Sequence, residues 1–407
     1  MRSVDEHLNA ILDVVNPLPP YEQPLLEALG LPICTDVTSD LDLPSFDNSA
    51  MDGYAVRYHD VESAAEDAPV RLPVVGESAA GQTKAYALSP GQAVKIMTGA
   101  PMPAGADVVI PIEWTDAGRA SVRIARRPDG PGQHVRPRGD DVTAGELLVR
   151  EGDVLGPRQV AILAATGQPR VRARPRPRVV VISTGSELRE PGSPLGFDSI
   201  YDANSYLLAA QARAADAIAY RVGIVNDDPQ ELMATLSDQL VRADLVVTSG
   251  GVSKGEYDVV KEVLSRLGTV TFCEVAMQPG KPQGFGTIGE DDTPIFTLPG
   301  NPVSSYVSFE VFVLPAIRRM MGRLPYRRPV VRAVCGEGFS SPRGRRQFMR
   351  GRFEVTGRGP AVTPVGGPGS HLLGGLTRSN SLIVVPEETT EVEQASMVDV
   401  IVLDRSF

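Results

Sequence analysis

The stretch Val179-Val180-Val181-Ile182-Ser183-Thr184-Gly185-Ser186-Glu187 joins a near-continuous apolar run to a loop of small and acidic residues. Two later stretches repeat this arrangement, since Asp244–Thr248 and Ile295–Leu298 also end in glycine-containing loops. Short apolar runs of this kind are typical of buried strands in a parallel sheet. Helical patterns separate them, so residues 176–324 predict a three-layer α/β/α domain.

The pattern changes on both sides of this domain. Residues 45–142 hold short β-type runs separated by Gly and Pro turns, which predict a β-rich inserted domain. Residues 1–44 and 143–175 are each too short to bury a core, so we expect them to pack together as a small discontinuous linker domain. Residues 325–407 return to a β pattern and predict a C-terminal β-barrel-like domain.

Two helices are expected near the start of the chain. Ser3 and Glu6 have the spacing of a capping box, and a helical apolar face follows them. A second short helix is expected through Leu25 and Leu29, with Gly30 as its C-terminal cap.

The composition excludes several classes of protein. The chain has 407 residues and a net charge of −10, whereas a general nucleic-acid binder is usually basic. Its three cysteines, Cys34, Cys273 and Cys335, are far apart and form no C-x-x-C motif, which argues against a disulfide framework or a zinc site. The N-terminus does not resemble a signal peptide, and no apolar run reaches the length of a membrane span. We therefore expect a soluble, cytoplasmic protein that binds neither nucleic acid nor membrane.

Loops at the ends of three predicted strands indicate an anion-binding site. They are Ser183–Glu187, Ser249–Asp258 and Pro299–Pro302. Ligands of an open parallel sheet bind at the carboxyl ends of its strands, where glycines and helix N-termini let backbone N–H groups approach a phosphate. The alternative is three ordinary βα turns. None of the loops matches a P-loop or a dinucleotide fingerprint, so a phosphate-bearing ligand of another kind is expected.

Two carboxylates lie on these loops. If the predicted fold is right, Glu187 and Asp258 approach each other at the sheet edge, and carboxylate oxygens beside phosphates suit Mg²⁺. The alternative for either acid alone is a helix cap or a surface charge.

The β-rich region carries three further strings rich in small, polar and charged residues. They are SFDNSAMDGYAV at 45–56, MTGAPMPAGAD at 97–107 and RPRGDD at 136–141. The first of them also fits an Asx-type turn.

Together with STGSEL, SGGVSKGEYD, PGKP and LPGNPVS, these strings resemble the MoeA family of molybdopterin molybdenumtransferases, to which the E domain of gephyrin is related. The resemblance covers almost the whole chain, with the motifs in family order. It implies a four-part architecture, a molybdopterin-binding α/β domain and an elongated homodimer. It also implies a reaction in which adenylylated molybdopterin and molybdate yield molybdenum cofactor and AMP, with Mg²⁺ as the divalent cation. Other enzymes of molybdenum cofactor biosynthesis, or enzymes that accept the cofactor, are partners that the resemblance leaves open.

The resemblance and the strand-end loops together give a set of expected site residues. The catalytic residues are Asp47, Thr98, Glu187 and Asp258, of which Glu187 and Asp258 would also bind the metal. The resemblance adds as substrate-binding residues Asp141, Asp228, Lys281, Pro299, Pro302, Arg350 and Ser370. The loops add Ser183, Thr184, Gly185, Ser249, Gly250, Gly251, Ser253, Gly300 and Asn301.

Two points within the site stay open. Some members of the family carry a lysine where this chain has Gln278, so Lys281 is the remaining positive charge of that loop. Either Asp227 or Asp228 could be the site residue, since Asp228 could instead cap the helix that begins at Pro229.

Two other functions are also considered. An enzyme that only adenylylates molybdopterin would share the α/β domain, but the β-rich insert counts against it. A scaffold that binds peptides through its last domain would not need the acidic and glycine-rich motifs.

Overall fold

The computed structural model describes residues 1–81, 86–250 and 259–404, with the side chains of Val259 and Lys261 left aside. The chain forms two compact units. The larger unit comprises Met1–Glu22 and Arg172–Phe407, and the smaller unit comprises Gln23–Val171. The boundaries of the four smaller domains given above stay predictions.

The larger unit is built around a six-stranded sheet. Its strands, in spatial order, are Ile218–Val225, Arg178–Thr184, Leu245–Ser249, Thr293–Leu298, Pro282–Ile288 and Thr271–Glu274. The first four are parallel, as the apolar runs predicted. Val180, Val246 and Ile295 are in register across three of them and are fully buried. Helices Asn204–Ala214, Pro229–Leu240 and Val259–Leu267 lie between the strands along the chain.

Two strands of this sheet were not predicted. Pro282–Ile288 pairs antiparallel with Thr293–Leu298, and Thr271–Glu274 pairs antiparallel with Pro282–Ile288. The strand Pro282–Ile288 contains Gly284 and Gly286. Because glycine is unfavourable in most strands, the sequence pattern does not indicate a strand here. Here they are required: a Cβ on Gly286 would lie 2.4 Å from the carbonyl oxygen of Thr269.

The apolar segment that follows the strand Thr293–Leu298 is helical, but it is not a uniform α-helix. A π-helical turn at Phe309–Val313 separates the α-helices Pro302–Ser308 and Leu314–Met320. Pro315 has no N–H to donate to the carbonyl of Val311 four residues earlier, which explains the altered register at this point.

The N-terminal helix spans Val4–Val14 and begins as predicted. The backbone N–H of Ser3 donates to Glu6 Oε2 at 2.8 Å, and that of Glu6 donates to Ser3 Oγ at 3.1 Å. Within the larger unit, the buried His7 makes an edge-on contact with Phe312, with ring centroids 4.8 Å apart. The first helix therefore packs on the α/β domain.

The rest of the larger unit ends in a five-stranded barrel. Around the ring, the strands are Arg346–Thr356, Gly359–Pro364, Val330–Cys335, Met397–Val402 and Ser381–Val385. The last strand pairs back with Arg346–Thr356 and closes the barrel. Shorter elements of the unit are the strands Leu188–Arg189, Ile200–Tyr201, Met277–Gln278, Phe339–Ser340 and Glu391–Val392 and the helix Leu373–Thr377.

The smaller unit contains a five-stranded sheet. Its strands, in spatial order, are Val108–Pro111, Gly53–Val56, Ala93–Ile96, Val70–Ser78 and Ser121–Ile124. Two-stranded sheets pair Asn48–Ser49 with Val135–Arg136 and Val37–Thr38 with Leu147–Val149. The unit also has the α-helix Pro157–Ala165 and the 3₁₀ helices Tyr58–Asp60 and Ile112–Trp114. Strands Tyr21–Pro24 and Arg170–Ala173 lie where the chain passes between the units.

The helix predicted through Leu25 and Leu29 is wrong. These residues form turns, in which Ala28 N–H donates to the carbonyl of Pro24 but no regular ladder follows. The N–H of Gly30 donates instead to the carbonyl of Leu155. The conformation of this segment is therefore set by a hydrogen bond to a distant part of the chain and not by helical hydrogen bonds within the segment. None of the helices in the described parts of the chain is long and apolar enough to span a membrane.

Candidate functional site

A cavity of about 820 Å³ lies in the larger unit at the carboxyl ends of the parallel strands. All three predicted strand-end loops contribute to it. The predicted site residues among its lining are Ser183, Thr184, Glu187, Ser249, Gly250, Lys281, Pro299, Gly300, Asn301 and Pro302. The structure thus brings together side chains that are more than 100 positions apart in the chain.

Close backbone approach at the cavity depends on two glycines. Gly250 has a φ of +105°, and a Cβ there would lie 2.7 Å from the carbonyl oxygen of Thr184. Gly185 has a φ of +153°, and a Cβ there would lie 2.6 Å from Glu187 Oε2. A larger residue at Gly250 would be strained and would push the first two loops apart, whereas one at Gly185 would displace the Glu187 side chain of its own loop.

The first turn of the helix Asn204–Ala214 connects the three loops. Ser183 Oγ donates to the buried carboxylate of Asp202 at 3.0 Å. Asn204 Nδ2 donates to Ser249 Oγ at 2.8 Å and to the carbonyl of Gly300 at 2.6 Å. Both residues line the cavity, and the sequence analysis missed them. The sequence feature that could have indicated them is Asp202, three residues before Ser205 at the start of a helix. The same spacing is also typical of an ordinary helix cap.

The charged side chains of the cavity are of both signs. Glu187 is exposed, and its carboxylate makes no hydrogen bond or ion pair with the residues that the structure describes. Lys281 Nζ lies 3.0 Å from Glu274 Oε1. No group of three or more His, Cys, Asp or Glu residues placed to hold a metal occurs in residues 1–81, 86–250 and 259–404. Three predicted site residues lie outside those ranges: Gly251, Ser253 and Asp258.

The two neighbouring aspartates at the helix 229–240 have different environments. Asp228 Oδ1 accepts from the backbone N–H groups of Gln230 and Glu231 at 2.9 and 2.8 Å, so it is the N-cap of that helix. Asp227 Oδ2 accepts from both the N–H and the hydroxyl of Ser186, at 3.0 and 3.2 Å. The aspartate in contact with the strand-end loop is therefore Asp227, although neither Asp227 nor Asp228 lines the cavity.

The predicted residues of the last domain lie beside the cavity rather than on it. Arg350 is 2% exposed, and its guanidinium donates to the carbonyls of Leu372, at 2.9 Å, and of Gly367. Burial without an ionised partner lowers the pKa of Arg350. Ser370 accepts from the backbone N–H of Val303 through its carbonyl. His371, the next residue, is the one from this loop that lines the cavity.

In the smaller unit the three predicted strings also come together. Asp47 Oδ1 accepts from the backbone N–H of Arg138 at 2.7 Å. Asp52 Oδ1 accepts from the N–H and the hydroxyl of Thr98 at 2.7 and 2.9 Å, and these hydrogen bonds lower the pKa of Asp52. Asp141, by contrast, is exposed, and its N–H donates to the carbonyl of Leu43. The contact of Asp52 with Thr98 was not predicted.

The fold and cavity define a multidomain α/β protein with a cavity at the carboxyl ends of its parallel strands. Three family models match this chain: the MoeA N-terminal region (domain I and II) at 2–167, a probable molybdopterin binding domain at 180–319, and the MoeA C-terminal region (domain IV) at 332–403. The chain belongs to the MoeA family, whose curated members are named molybdopterin molybdenumtransferases.

The similarity extends over nearly the full length of the relatives. Molybdopterin molybdenumtransferase 2 of Mycobacterium tuberculosis is 44% identical over 98% of this chain and 99% of its own. The enzyme of Nostoc is 38% identical over 99% of this chain and 94% of its own. A crystal structure of the MoeA protein of Pyrococcus horikoshii matches with a TM-score of 0.83 and 32% identity, covering 99% of both chains.

Proposed function

We propose that this protein is a molybdopterin molybdenumtransferase that converts adenylylated molybdopterin and molybdate into molybdenum cofactor and AMP. One observation carries the proposal. Three loops at the carboxyl ends of parallel strands, two of them with glycines in strained or crowded positions, line one cavity of about 820 Å³. This volume is in the range of ligand sites that accept a nucleotide-sized molecule.

Two of the loops and Lys281 have a part in binding the phosphates of this substrate. The N-terminus of the helix that starts at Pro302, on the third loop, favours phosphate oxygens, and Ser249 of the second loop lines the cavity with it. Lys281 places a positive charge in the cavity, held beside Glu274. The phosphates of the substrate would therefore lie between the second and third loops, close to Lys281.

Mg²⁺ fits the donor groups of this cavity. Without a cation, a carboxylate 4 Å from a phosphate charge would oppose binding by about 4 kcal/mol at an effective dielectric of 20. Mg²⁺ usually takes one or two carboxylates and fills its other positions with water and phosphate oxygens. Glu187 has an accessible carboxylate for this role, and Asp258 is the second proposed ligand. When bound, the ion would polarise the phosphoryl group.

We further propose that the enzyme is a homodimer whose site is completed by the smaller unit of the partner subunit. Asp47, Thr98 and Asp141 would then act on the substrate from loops that also expose Phe46 and Met97. Light scattering over micromolar concentrations should give twice the 43.4 kDa of one chain, and a mass of one chain throughout would contradict the dimer.

Reconstitution tests the activity directly. The purified protein, supplied with adenylylated molybdopterin, molybdate and Mg²⁺, should release AMP and yield a cofactor that activates a molybdenum-free apoenzyme. AMP release that does not depend on molybdate, together with inactive apoenzyme, would contradict a transferase. Formation of adenylylated molybdopterin from ATP would instead support the adenylylating enzyme.

A further inference from the structure

One short segment contacts all three loops of the cavity. It is Asp202–Ser205, where the helix Asn204–Ala214 begins. Asp202 accepts from Ser183 Oγ on the first loop, and Asn204 donates to Ser249 on the second and to Gly300 on the third. The buried carboxylate of Asp202 is fixed in turn by the N–H and the hydroxyl of Ser205.

The orientation of the Asn204 side chain follows from its partners. The carbonyl of Gly300 can only accept a hydrogen bond, so the NH₂ group of Asn204 must face it. The same NH₂ group donates to Ser249 Oγ at 2.8 Å. In this orientation Asn204 Oδ1 is buried and has no hydrogen-bond partner among the residues that the structure describes.

Such an arrangement is costly for stability. A buried acceptor without a donor loses its hydration and gains nothing in return, which is why almost all buried polar atoms in proteins are paired. An apolar side chain of similar size would avoid this cost. The chain nevertheless has an asparagine here, directly between two loops of the site.

We infer that Asn204 is a positioning residue, which sets the spacing of the Ser249 and Gly300 loops for the reaction. The inference rests on the proposed function, because the loops it connects are those that we propose to hold the phosphates. Asn204 acts through Ser249 and Gly300 and is not required to touch the reacting atoms.

Two substitutions separate positioning from stability. Asn204→Leu keeps the size of the side chain but removes both hydrogen bonds together with the unpaired oxygen. We expect its melting temperature to stay within about 3 °C of wild type. The stability lost with the two hydrogen bonds is offset by the removal of the unpaired Asn204 Oδ1. Its kcat for AMP release should fall about 100-fold, as expected for a misplaced binding group, with a smaller change in the affinity for AMP measured by calorimetry.

The variant Asn204→Asp tests the inference through the pH dependence of kcat, which a purely structural role of Asn204 would not change. Its carboxylate presents oxygens to the carbonyl of Gly300, and the variant should be as impaired as Asn204→Leu at pH 7.5. When protonated, the same group regains an O–H donor toward Gly300, and burial favours this neutral form. Its kcat relative to wild type should therefore rise at least about tenfold between pH 7.5 and 5.5. Other ionisable groups of the cavity, including Glu187, Asp202, Glu274, Lys281 and His371, are present in both proteins and cancel in the ratio.

A matched control is Asn380→Leu in the barrel. Asn380 makes two backbone hydrogen bonds, accepting from the N–H of Phe353 at 2.6 Å and donating to its carbonyl at 2.9 Å. This variant should lose stability while its kcat and its pH profile stay as in wild type.

The outcomes are distinct. If wild type releases AMP and Asn204→Leu does so at the same rate, Asn204 is not a positioning residue. A loss of activity in Asn204→Asp that is constant with pH would overturn the inference as well. If wild type binds AMP but releases none from the substrate, the proposed function fails instead.

Discussion

Lys281 Nζ lies 3.0 Å from Glu274 Oε1 at the rim of the cavity, and the two side chains are 34% and 45% exposed. The two residues lie on either side of the short stretch that includes Gln278. An ion pair this exposed contributes little to stability. Its main effect is to hold the ammonium group at the cavity while reducing the net positive charge there.

The first prediction concerns this pair. Glu274→Gln should tighten the binding of AMP, by up to about fivefold at low salt, because an exposed charge pair is worth at most about 1 kcal/mol. Lys281→Met should weaken it by at least as much. Calorimetry at 20 and 300 mM NaCl tests both variants, since screening should reduce each effect. Equal affinities at low salt would show that Lys281 does not attract the phosphate.

The second prediction concerns Glu187. Glu187→Gln should fold normally and bind AMP, but lose AMP release that depends on Mg²⁺. A neutral amide is a poor ligand for this ion, so the Mg²⁺ requirement should rise. The measurement is the rate of AMP release against Mg²⁺ concentration, with the exposed Glu290→Gln as control. If the rate of AMP release by Glu187→Gln depended on Mg²⁺ concentration as in wild type, Glu187 would be a surface charge and not a metal ligand. Asp258→Asn should behave like Glu187→Gln if both are ligands.

The third prediction concerns Gly250. Its φ of +105° and the 2.7 Å from its would-be Cβ to the carbonyl of Thr184 leave no room for a side chain. Gly250→Ala should weaken AMP binding about tenfold or more and cost about 1–3 kcal/mol of stability, as expected for a strained backbone. Gly357→Ala is the control, because a Cβ there meets nothing within 4 Å and its φ is not positive. If a folded Gly250→Ala variant bound AMP with wild-type affinity, AMP binding would not depend on a glycine at this position of the second loop.

The fourth prediction concerns His7, whose Nδ1 lies 3.7 Å from Cys273 Sγ. Burial, and to a smaller extent Arg2, lower the pKa of His7 to about 4. The unfolded chain, with a histidine pKa near 6.5, therefore binds a proton before the folded protein does, and stability falls as the pH drops from about 6.5 toward 4. From pH 7.5 to 5 the loss from this residue should be roughly 2 kcal/mol.

Urea unfolding of wild type and His7→Gln at both pH values isolates this contribution. The variant should be less stable than wild type at pH 7.5, because it loses the packing against Phe312. The gap between the two proteins should narrow at pH 5. A gap that stays constant with pH would mean that His7 does not titrate differently on folding.

The α/β domain could be predicted from the sequence because its central strands are buried on both faces. Val180, Val246 and Ile295 are fully buried and lie in short, mostly apolar runs, which are typical of strands buried on both faces. The strand Pro282–Ile288, which lies between Thr293–Leu298 and the edge strand Thr271–Glu274, could not be predicted in this way. Gly286 is required by the close approach of Thr269, and Gly284 by that of Phe272 and Thr297, and these contacts exist only in the folded chain.

The site shows the same division. The loops at Thr184, Gly250 and Gly300 were identifiable, since glycine and hydroxyl residues after buried strands indicate backbone approach to a ligand. Asn204 was not, because an asparagine at a helix start is usually a cap, and its two partners are 45 and 96 residues away. Arg350 was expected to bind substrate, whereas its burial and its bonds to the 367–372 loop become visible only in three dimensions.

The discontinuity of the larger unit has a consequence for synthesis on the ribosome. Gln23–Val171 is one continuous segment, so the smaller unit can fold as soon as it has emerged. The first helix cannot, because its partner Phe312 is made nearly 300 residues later, a delay on the order of tens of seconds at usual elongation rates. During this time the apolar face of Val4, Leu8 and Ile11 stays uncovered. The first helix is therefore exposed to non-native contacts until the α/β domain has been completed.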